Sequence, residues 1–399
     1  MKCKITQKVI EPFMSFGKMP IANGFIEKDK FKKEFFFEME VGFSDQISLF
    51  QLNDHPKPEM MFNEKYPFFT GSSEYMKEHF RVFSEYLKKN HLSSNSKVIE
   101  IGSNDGTLLK NFIDQKDNIL GFEPSSNVAD QAKLSGVPTT NEFFNFENAS
   151  KYKEFIRNTD VIFASNCICH IPDLNNLIKG VDLLLSKNGT FIFEEPYLGS
   201  MFDKVSYDQI YDEHIFIFSI NSVKKIFELY NFELIDVFPQ PTHGGSMRYV
   251  LARKNKHKVS QNVTNGLSTE KGKNMDNLES CLKFKKDCEM SKEKTRNTLN
   301  KIKNEGKKIC GYAATSKSTT ILNYCNINKN IISFICDTTK EKIGKFSPGT
   351  HIPIVPISHF HNNPPDIAYL FAWNHREEIF KKEKDFIKKG GKWISHVSL

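Results

Sequence analysis

Two clusters in the chain carry residue types suited to proton transfer or to anion binding. The first is Tyr211-Asp-Glu213-His214, in which Tyr211 and His214 share a face if the segment forms a helix or a turn. An imidazole beside a carboxylate and a phenol is a good general base near neutral pH, because the carboxylate orients the ring and supports its cationic form. The cluster therefore predicts His214 as a base, with a surface ion pair as the alternative.

The second cluster is His243-Gly244-Gly-Ser246-Met-Arg248, which combines backbone N–H groups with a hydroxyl and a guanidinium. Such a set suits a phosphate or an oxyanion. Further along, Lys317 follows a predicted strand and lies among hydroxyl side chains, so its charge could hold a diphosphate. The Lys317 loop lacks the ending of a P-loop, and a solvated β–α loop is an equal alternative.

The strongest local signal is a short apolar strand, residues 97–101, followed by a glycine-containing turn that opens a helix. Glycines allow the backbone to approach a ligand where a Cβ would clash. Asn166 and His170 follow another strand, and ligands of open α/β sheets lie at the carboxyl ends of strands. The residues that we predict to bind a cofactor are Glu100, Gly102, Asn104, Asp105, Gly106, Glu123, Pro124 and Asn166.

The acidic residues of this turn select between two classes of cofactor. The turn reads G-x-N-x-G rather than the G-x-G-x-x-G of a dinucleotide site, and Glu100 and Asp105 would repel a pyrophosphate. They suit a cofactor that carries an ammonium and a sulfonium. Glu123 ends the next strand, where a carboxylate can accept hydrogen bonds from both hydroxyls of a ribose. The pattern predicts S-adenosylmethionine (SAM) rather than NAD, although some α/β proteins bind nothing at such a turn.

The elements that must position these residues fall into three segments. Residues 1–68 are rich in Phe, Pro and Gly, with short alternating strands, and predict a small β-rich module. Residues 69–254 alternate helix and strand, beginning with a helix from Tyr75 to Lys89 capped by Ser73, as in a parallel doubly wound sheet. Residues 255–399 begin with a Lys-rich helical connector, 255–305, and continue with a second β–α alternation.

Composition excludes several classes of protein. Among 399 residues, 39% are hydrophobic and 26% are charged, which excludes a mainly disordered chain. The net charge of +7 is spread over Lys-rich segments without a basic stripe, so we expect no nucleic-acid partner. No apolar run is long enough for a membrane span and no signal peptide is recognised, so we expect a cytoplasmic protein. The 8 cysteines include no C-x-x-C pair and support no metal site.

Taken together, the motifs resemble a known family: the SAM-dependent sugar C-methyltransferases that act on nucleotide-linked 4-keto-deoxysugars. The resemblance covers nearly the whole chain and rests on many motifs in the same order. Besides the turn and clusters above, they are residues 12–25, 66–73, 121–124, 170–173, 311–317 and 342–350, together with Trp373-Asn374.

The resemblance implies a fold and a set of roles. The fold would be a class I methyltransferase core with a small N-terminal module and a C-terminal Rossmann-like α/β domain. His214 would be the base, supported by Glu213 and Tyr211, with His170 near the substrate. A nucleotide-linked keto-sugar would lie between the middle and C-terminal domains. The residues expected to bind it are Tyr66, Ser72, Ser73, His243, Gly244, Ser246, Arg248 and Lys317.

The chain departs from the family pattern in its N-terminal module. The family holds a zinc ion there with two C-x-x-C pairs, whereas this sequence has Cys3-Lys-Ile-Thr6 and Ser44-Asp-Gln-Ile47. One thiol cannot replace the four ligands of a structural zinc, so we expect a module without metal. Two alternatives to C-methylation stay open: O- or N-methylation of a sugar, and a non-catalytic protein that binds SAM or nucleic acid.

Overall fold

Three β-sheets organise the chain in the computed structural model, which describes residues 1–398 apart from the side chains of residues 115–117. The N-terminal sheet is antiparallel and takes its fourth strand from far along the chain, where Phe50 pairs with Ile217. The predicted β-rich module is therefore completed by the middle of the chain. Its strands are β1 (Pro12–Pro20), β2 (Phe36–Ser44), β3 (Leu49–Leu52) and β9 (Phe216–Ile217).

The central sheet has seven strands in the order β10-β11-β8-β7-β4-β5-β6. The five strands from β8 to β6 are parallel, as the β–α alternation predicted, and an antiparallel hairpin of β10 and β11 is added at one edge. The strands are β4 (Val98–Ile101), β5 (Ile119–Phe122), β6 (Thr139–Thr140), β7 (Thr159–Ser165), β8 (Leu185–Pro196), β10 (Phe232–Gln240) and β11 (Ser246–Arg253).

Helices cover both faces of the central sheet. The predicted cap of α2 is present, since the Ser73 side chain accepts a hydrogen bond from the Met76 N–H at 3.3 Å. One face of α2, including Phe83 and Leu87, is buried against the sheet. The α-helices of this part are α1 (Pro58–Met61), α2 (Glu74–Asn90), α3 (Ser126–Leu134), α4 (Phe146–Ala149), α5 (Leu174–Leu184), α6 (Leu198–Lys204) and α7 (Ile220–Glu228).

The C-terminal sheet is parallel throughout, in the order β14-β13-β12-β15-β16. The apolar run Ile331-Ile-Ser-Phe-Ile335 predicts a strand, but β13 begins only at Ile335, because the N–H groups of Ile331 and Ile332 bond to the Asn328 carbonyl in a turn. The strands are β12 (Ile309–Tyr312), β13 (Ile335–Asp337), β14 (Ile354–Pro356), β15 (Ile367–Leu370) and β16 (Lys392–Ile394).

The segment predicted as a connector contributes to the core. It forms two helices, and the longer one, α9, buries Phe284 and Leu299 in the same apolar cluster as the N-terminal sheet. Its amphipathic pattern is weak because only a narrow stripe faces inward. The helices of this part are α8 (Gln261–Gly272), α9 (Leu278–Asn304), α10 (Ser316–Tyr324), α11 (Ile357–Asn362), α12 (Arg376–Lys382) and α13 (Lys384–Lys388).

In the central and C-terminal sheets the order in which successive strands are added reverses near the centre, between the parallel neighbours β4 and β7 and between β12 and β15. Loops at the carboxyl ends of strands beside such a switch point form the ligand crevice of α/β proteins. Both sets of loops line one shared cavity. Among the helices of residues 1–398, none combines the length and apolar character that a membrane span requires.

Candidate active site

The shared cavity has a volume of about 510 Å³, within the usual range for a ligand pocket. A broader surface groove of about 910 Å³ beside Asp173 and Lys179 contains none of the predicted site residues. Twelve of those residues line the cavity: Tyr66, Gly102, Asn104, Glu123, Pro124, Asn166, His170, Tyr211, Glu213, His214, His243 and Lys317.

One end of the cavity is formed by the turn after β4. Gly102 has a φ of +72°, and a Cβ there would overlap the Cys167 side chain, so only glycine fits. The N–H of Asn104 donates to Glu123 Oε2 at 3.0 Å, and the N–H of Ser125 donates to Oε1 at 2.7 Å. The Glu123 carboxyl group is thereby fixed at the cavity wall.

The other acidic residues of the turn lie behind it. Glu100 is buried, and burial raises its pKa well above the usual range of a carboxyl group. Asp105 Oδ2 accepts a hydrogen bond from the Gly71 N–H at 2.7 Å, and Gly106 packs against Ala132. Asp105 thus supports the turn and Glu100 is buried beneath it, whereas Glu123 lines the cavity.

A SAM cofactor fits this end of the cavity on two observations. Asn166 lines it with a buried amide oxygen, Oδ1, that has no hydrogen-bond partner in the structure. A buried acceptor of this kind is normally satisfied, and a ligand ammonium or amine would satisfy it. Glu123 supplies a fixed carboxylate nearby in the same cavity, which suits the hydroxyls of a ribose.

His214, the predicted base, lines the cavity. His214 Nδ1 is 2.6 Å from the Gln209 carbonyl oxygen, and its Nε2 is 2.7 Å from the Tyr211 hydroxyl. A carbonyl only accepts, so Nδ1 carries the proton and Nε2 keeps a lone pair. Burial and the neighbouring His170 lower the pKa of His214 well below its usual value, so the ring is neutral at neutral pH.

The carboxylate expected to orient His214 has a different partner. Glu213 Oε1 accepts a hydrogen bond from Asn23 Nδ2 at 2.6 Å, and the ring of His214 is oriented by the Gln209 carbonyl instead. Burial raises the pKa of Glu213 to about 7. His170 stacks on His214 at 5.4 Å, its Nε2 has no partner, and burial lowers its pKa to about 4.

The side of the cavity opposite the turn after β4 is cationic. Lys317, near the start of α10, donates to Asn374 Oδ1 at 3.1 Å and lies 4.8 Å from the centre of the Trp373 ring. Burial lowers its pKa to about 8. Lys342, which the sequence analysis did not select, also lines the cavity and donates to the Ala314 carbonyl at 2.8 Å.

Several predicted substrate residues are engaged elsewhere. The Arg248 guanidinium pairs with Glu194 at 2.9 Å in the interior, and the Ser246 hydroxyl donates to the Thr242 carbonyl at 3.0 Å. A Cβ on Gly244 would overlap the Trp373 ring, so this glycine permits contact with the C-terminal sheet. Ser72 and Ser73 are also outside the cavity wall, where Ser72 bonds to Phe69 and Ser73 caps α2.

Three family models match successive parts of the chain: a putative zinc binding domain over residues 3–62, a methyltransferase domain over 73–237 and a C-methyltransferase C-terminal domain over 241–398. C-methyltransferase NovU of Streptomyces niveus is 28% identical over 384 residues, which cover 96% of this chain and 91% of NovU. The chain belongs to a C-methyltransferase family. It is a SAM-dependent methyltransferase with the class I Rossmann-like core.

Solved structures that are similar to part of this chain include the following two proteins. PH0226 of Pyrococcus horikoshii is 16% identical, with a TM-score of 0.38, and the match covers 47% of this chain and 95% of PH0226. Magnesium protoporphyrin IX methyltransferase of Synechocystis, solved with bound SAH, is 12% identical, with a TM-score of 0.34, and the match covers 45% of this chain and 83% of that enzyme.

The N-terminal residues do not fit the zinc ion that the first family model suggests. Cys3 is fully buried beside Ile5, Ile47 and Leu49, and its sulfur accepts the Thr6 N–H at 3.5 Å. Within residues 1–398, the group of His, Cys, Asp or Glu side chains close enough to share a metal is Cys169, His170 and His214, in the cavity. Apolar packing occupies the place where thiolates would be required.

Proposed function

We propose that the enzyme transfers a methyl group to the carbon next to the ketone of a nucleotide-linked 4-keto-deoxysugar. SAM, when bound, supplies an electrophilic methyl group on its sulfonium. A carbon acceptor must first lose a proton, which requires a base with a free lone pair inside a closed site. The observation that supports the proposal is His214 Nε2, which is unprotonated, buried and directed at Tyr211 in the cavity.

His214 and Tyr211 have separate roles in the formation of the enolate. Nε2 of His214 takes the proton from the carbon α to the ketone, while Nδ1–H stays bonded to the Gln209 carbonyl. Tyr211 donates its O–H to the ketone oxygen in place of Nε2, and this stabilises the negative charge of the enolate. The half-buried His170 ring stacks against His214, which limits the access of water to the base from that side.

The cationic side of the cavity suits the diphosphate of the substrate. Lys317, in the first turn of α10, and Lys342, in the segment after β13, line the same cavity as His214. An ammonium group binds phosphate as a point charge, and the apolar wall around it strengthens the attraction. With Tyr66 and His243, these residues form our proposed substrate site.

The proposal also covers the domains of the chain, its metal content and its place in the cell. The chain has three domains, 1–68, 69–254 and 255–399, and the first is a zinc-ribbon-like module that folds without metal. The enzyme acts in the cytoplasm, in deoxysugar biosynthesis, and requires neither nucleic acid nor a membrane. The apolar burial of Cys3 supports the absence of metal.

The test uses a panel of 4-keto nucleotide-sugars incubated with SAM and followed by mass spectrometry. The product should carry a new C–CH3 signal in NMR; an O–CH3 or N–CH3 signal would instead support the alternative activity. His214→Gln should lower kcat by about 10² to 10⁴ with little change in KM, the usual effect of a lost general base. His257→Gln, which changes a surface histidine, is the matched control.

The deprotonation step can be isolated from methyl transfer. With S-adenosylhomocysteine in place of SAM, the wild type should exchange the α-proton of the sugar with deuterated water, and His214→Gln should not. Exchange at the wild-type rate in the variant would show that another group is the base, and His170 and then Tyr211 would be tested next.

A further inference from the structure

The turn that holds His214 is itself held by residues of the C-terminal part of the chain. Gln209, whose carbonyl accepts the Nδ1–H of His214, ends the 3₁₀ turn Tyr207–Gln209 of the central part of the chain. Asp208, the residue before it, points to two side chains of the C-terminal part. Asp208 Oδ2 accepts from Trp373 Nε1 at 2.7 Å, and Oδ1 accepts from His396 Nε2 at 3.1 Å.

This contact is fully enclosed. Asp208 is 0% exposed, and the side chain of His396 is 1% exposed. Burial alone would oppose ionisation, but His396, Lys317 and Trp373 lower the pKa of Asp208 below its usual value. A buried carboxylate is costly unless each oxygen has a partner, and here both oxygens have one. The charge therefore ties the turn to Trp373 and His396 in one geometry.

A second bond acts on the other side of Gln209. The hydroxyl of Thr320, in α10, donates to the Ile210 carbonyl at 2.9 Å. The residues on both sides of Gln209, Asp208 and Ile210, are thus held by C-terminal residues, and the Gln209 side chain bonds to the His243 carbonyl. These contacts restrict the direction in which the Gln209 carbonyl can accept the hydrogen bond from His214.

We propose that Asp208 is a positioning residue for His214: bonded to Trp373 and His396, which follow β15 and β16 of the C-terminal part, it holds the Gln209 carbonyl that sets the tautomer and ring orientation of His214. The catalytic part of this inference rests on the proposed function, in which His214 is the base. Its structural part, the control of the tautomer, stands independently of the substrate. The C-terminal part of the chain then acts on the base as well as on the substrate.

The tautomer is measured directly on the full chain labelled with ¹⁵N-histidine. Long-range ¹H–¹⁵N correlations distinguish an imidazole protonated at Nδ1 from one protonated at Nε2, and the signals of His214 are assigned by their loss in His214→Gln. The wild type should show the Nδ1–H form. In Asp208→Ala, His214 should show a mixture of forms or the Nε2–H form.

Kinetics provide the second readout. Asp208→Ala should lower kcat and the α-proton exchange rate roughly 10- to 100-fold, as expected for a displaced catalytic group, while KM and the affinity for S-adenosylhomocysteine stay within about twofold. Trp373→Phe keeps the aromatic ring but removes the N–H donor, and should give a smaller loss of the same kind. His361→Gln removes a histidine–carboxylate pair on the exposed side of the same sheet and should leave every readout unchanged.

The outcomes separate the two proposals. If Asp208→Ala folds, binds S-adenosylhomocysteine normally and keeps both the wild-type tautomer and kcat, the positioning role is wrong. If it does not fold, the same comparison is made with Trp373→Phe, in which an unchanged tautomer and kcat overturn the inference. If His214→Gln itself exchanges the α-proton at the wild-type rate, the proposed base fails, and the tautomer measurement still tests Asp208.

Discussion

At the scale of single residues, Glu123 is a carboxyl group that is bonded to the turn after β4 and lines the cavity. Its oxygens accept the N–H groups of Asn104 and Ser125, and it faces the cavity. Glu123→Ala should weaken binding of SAM by roughly 1 to 3 kcal/mol, because ribose hydroxyls and two backbone donors lose their acceptor. Calorimetry with S-adenosylhomocysteine measures the loss, and Glu228→Ala on the surface is the control. An unchanged affinity would remove Glu123 from the site.

Glu195 gives the fold a dependence on pH. Its Oε1 accepts the N–H groups of Cys167 and Ile168 at 2.9 and 2.6 Å, which anchors the turn that carries His170. Burial raises the pKa of Glu195 from 4.5 to about 7, so between these values the folded state binds more protons than the unfolded state. The free energy of unfolding should therefore fall as pH rises, by up to about 3 kcal/mol from this group.

Glu195→Gln should remove that part of the pH dependence. Urea unfolding at pH 5 and pH 8 measures the difference for the wild type and for the variant, and subtraction cancels the other buried carboxyl groups, including Glu213. The variant should lose less stability than the wild type between the two pH values. Equal losses would mean that Glu195 titrates in the folded state as it does in the unfolded chain. Glu228→Gln is again the surface control.

At the scale of elements, the packing of α9 shows whether residues 255–305 are a connector or part of the core. Leu299 of α9 is fully buried, whereas Leu282 of the same helix is 48% exposed. Leu299→Ala should reduce the free energy of unfolding by about 2 to 5 kcal/mol, the range for a buried leucine. Leu282→Ala should change it by less than about 0.5 kcal/mol. Equal effects in denaturant unfolding would show that the inward stripe of α9 is not packed.

At the scale of the whole molecule, the motif Tyr211–His214 lies where three parts of the chain meet. The N-terminal part contributes the Ala22 N–H, which donates to Asp212 at 2.9 Å, and Asn23, which bonds to Glu213. The C-terminal part reaches the motif through Thr320, next to Ile210. The N-terminal part therefore contributes Asn23 to the cavity wall.

The metal content of the protein tests the proposal that the N-terminal module folds without metal. Elemental analysis of the purified protein should find well under one zinc per chain, because one thiol is present where four ligands are needed. Chelation should leave the melting temperature unchanged. One zinc per chain, lost together with thermal stability on chelation, would show that the module has recruited other ligands. A zinc ion lost without a change in stability would point to the cavity group of Cys169, His170 and His214.

The sequence by itself determined the features that depend on neighbouring residues. The strand, glycine turn and helix around Gly102 follow from backbone preferences, and the cap at Ser73 follows from one side chain and the turn after it. Such local motifs follow one another in a recognisable order along the chain, and that order predicted the methyltransferase core. It also carried the pairing of Tyr211 with His214, which are one turn apart.

Only the tertiary structure decided the contacts between residues distant in the chain. The partner of His214 Nδ1 is a backbone carbonyl, which no residue type reveals, and Asn23 reaches Glu213 from the N-terminal part. Arg248 has the chemistry of a phosphate ligand, yet the interior offers it Glu194, and a buried carboxylate requires a cation. The charge and chemistry of a side chain determine what it can bind, whereas burial and the fold determine which partner it contacts.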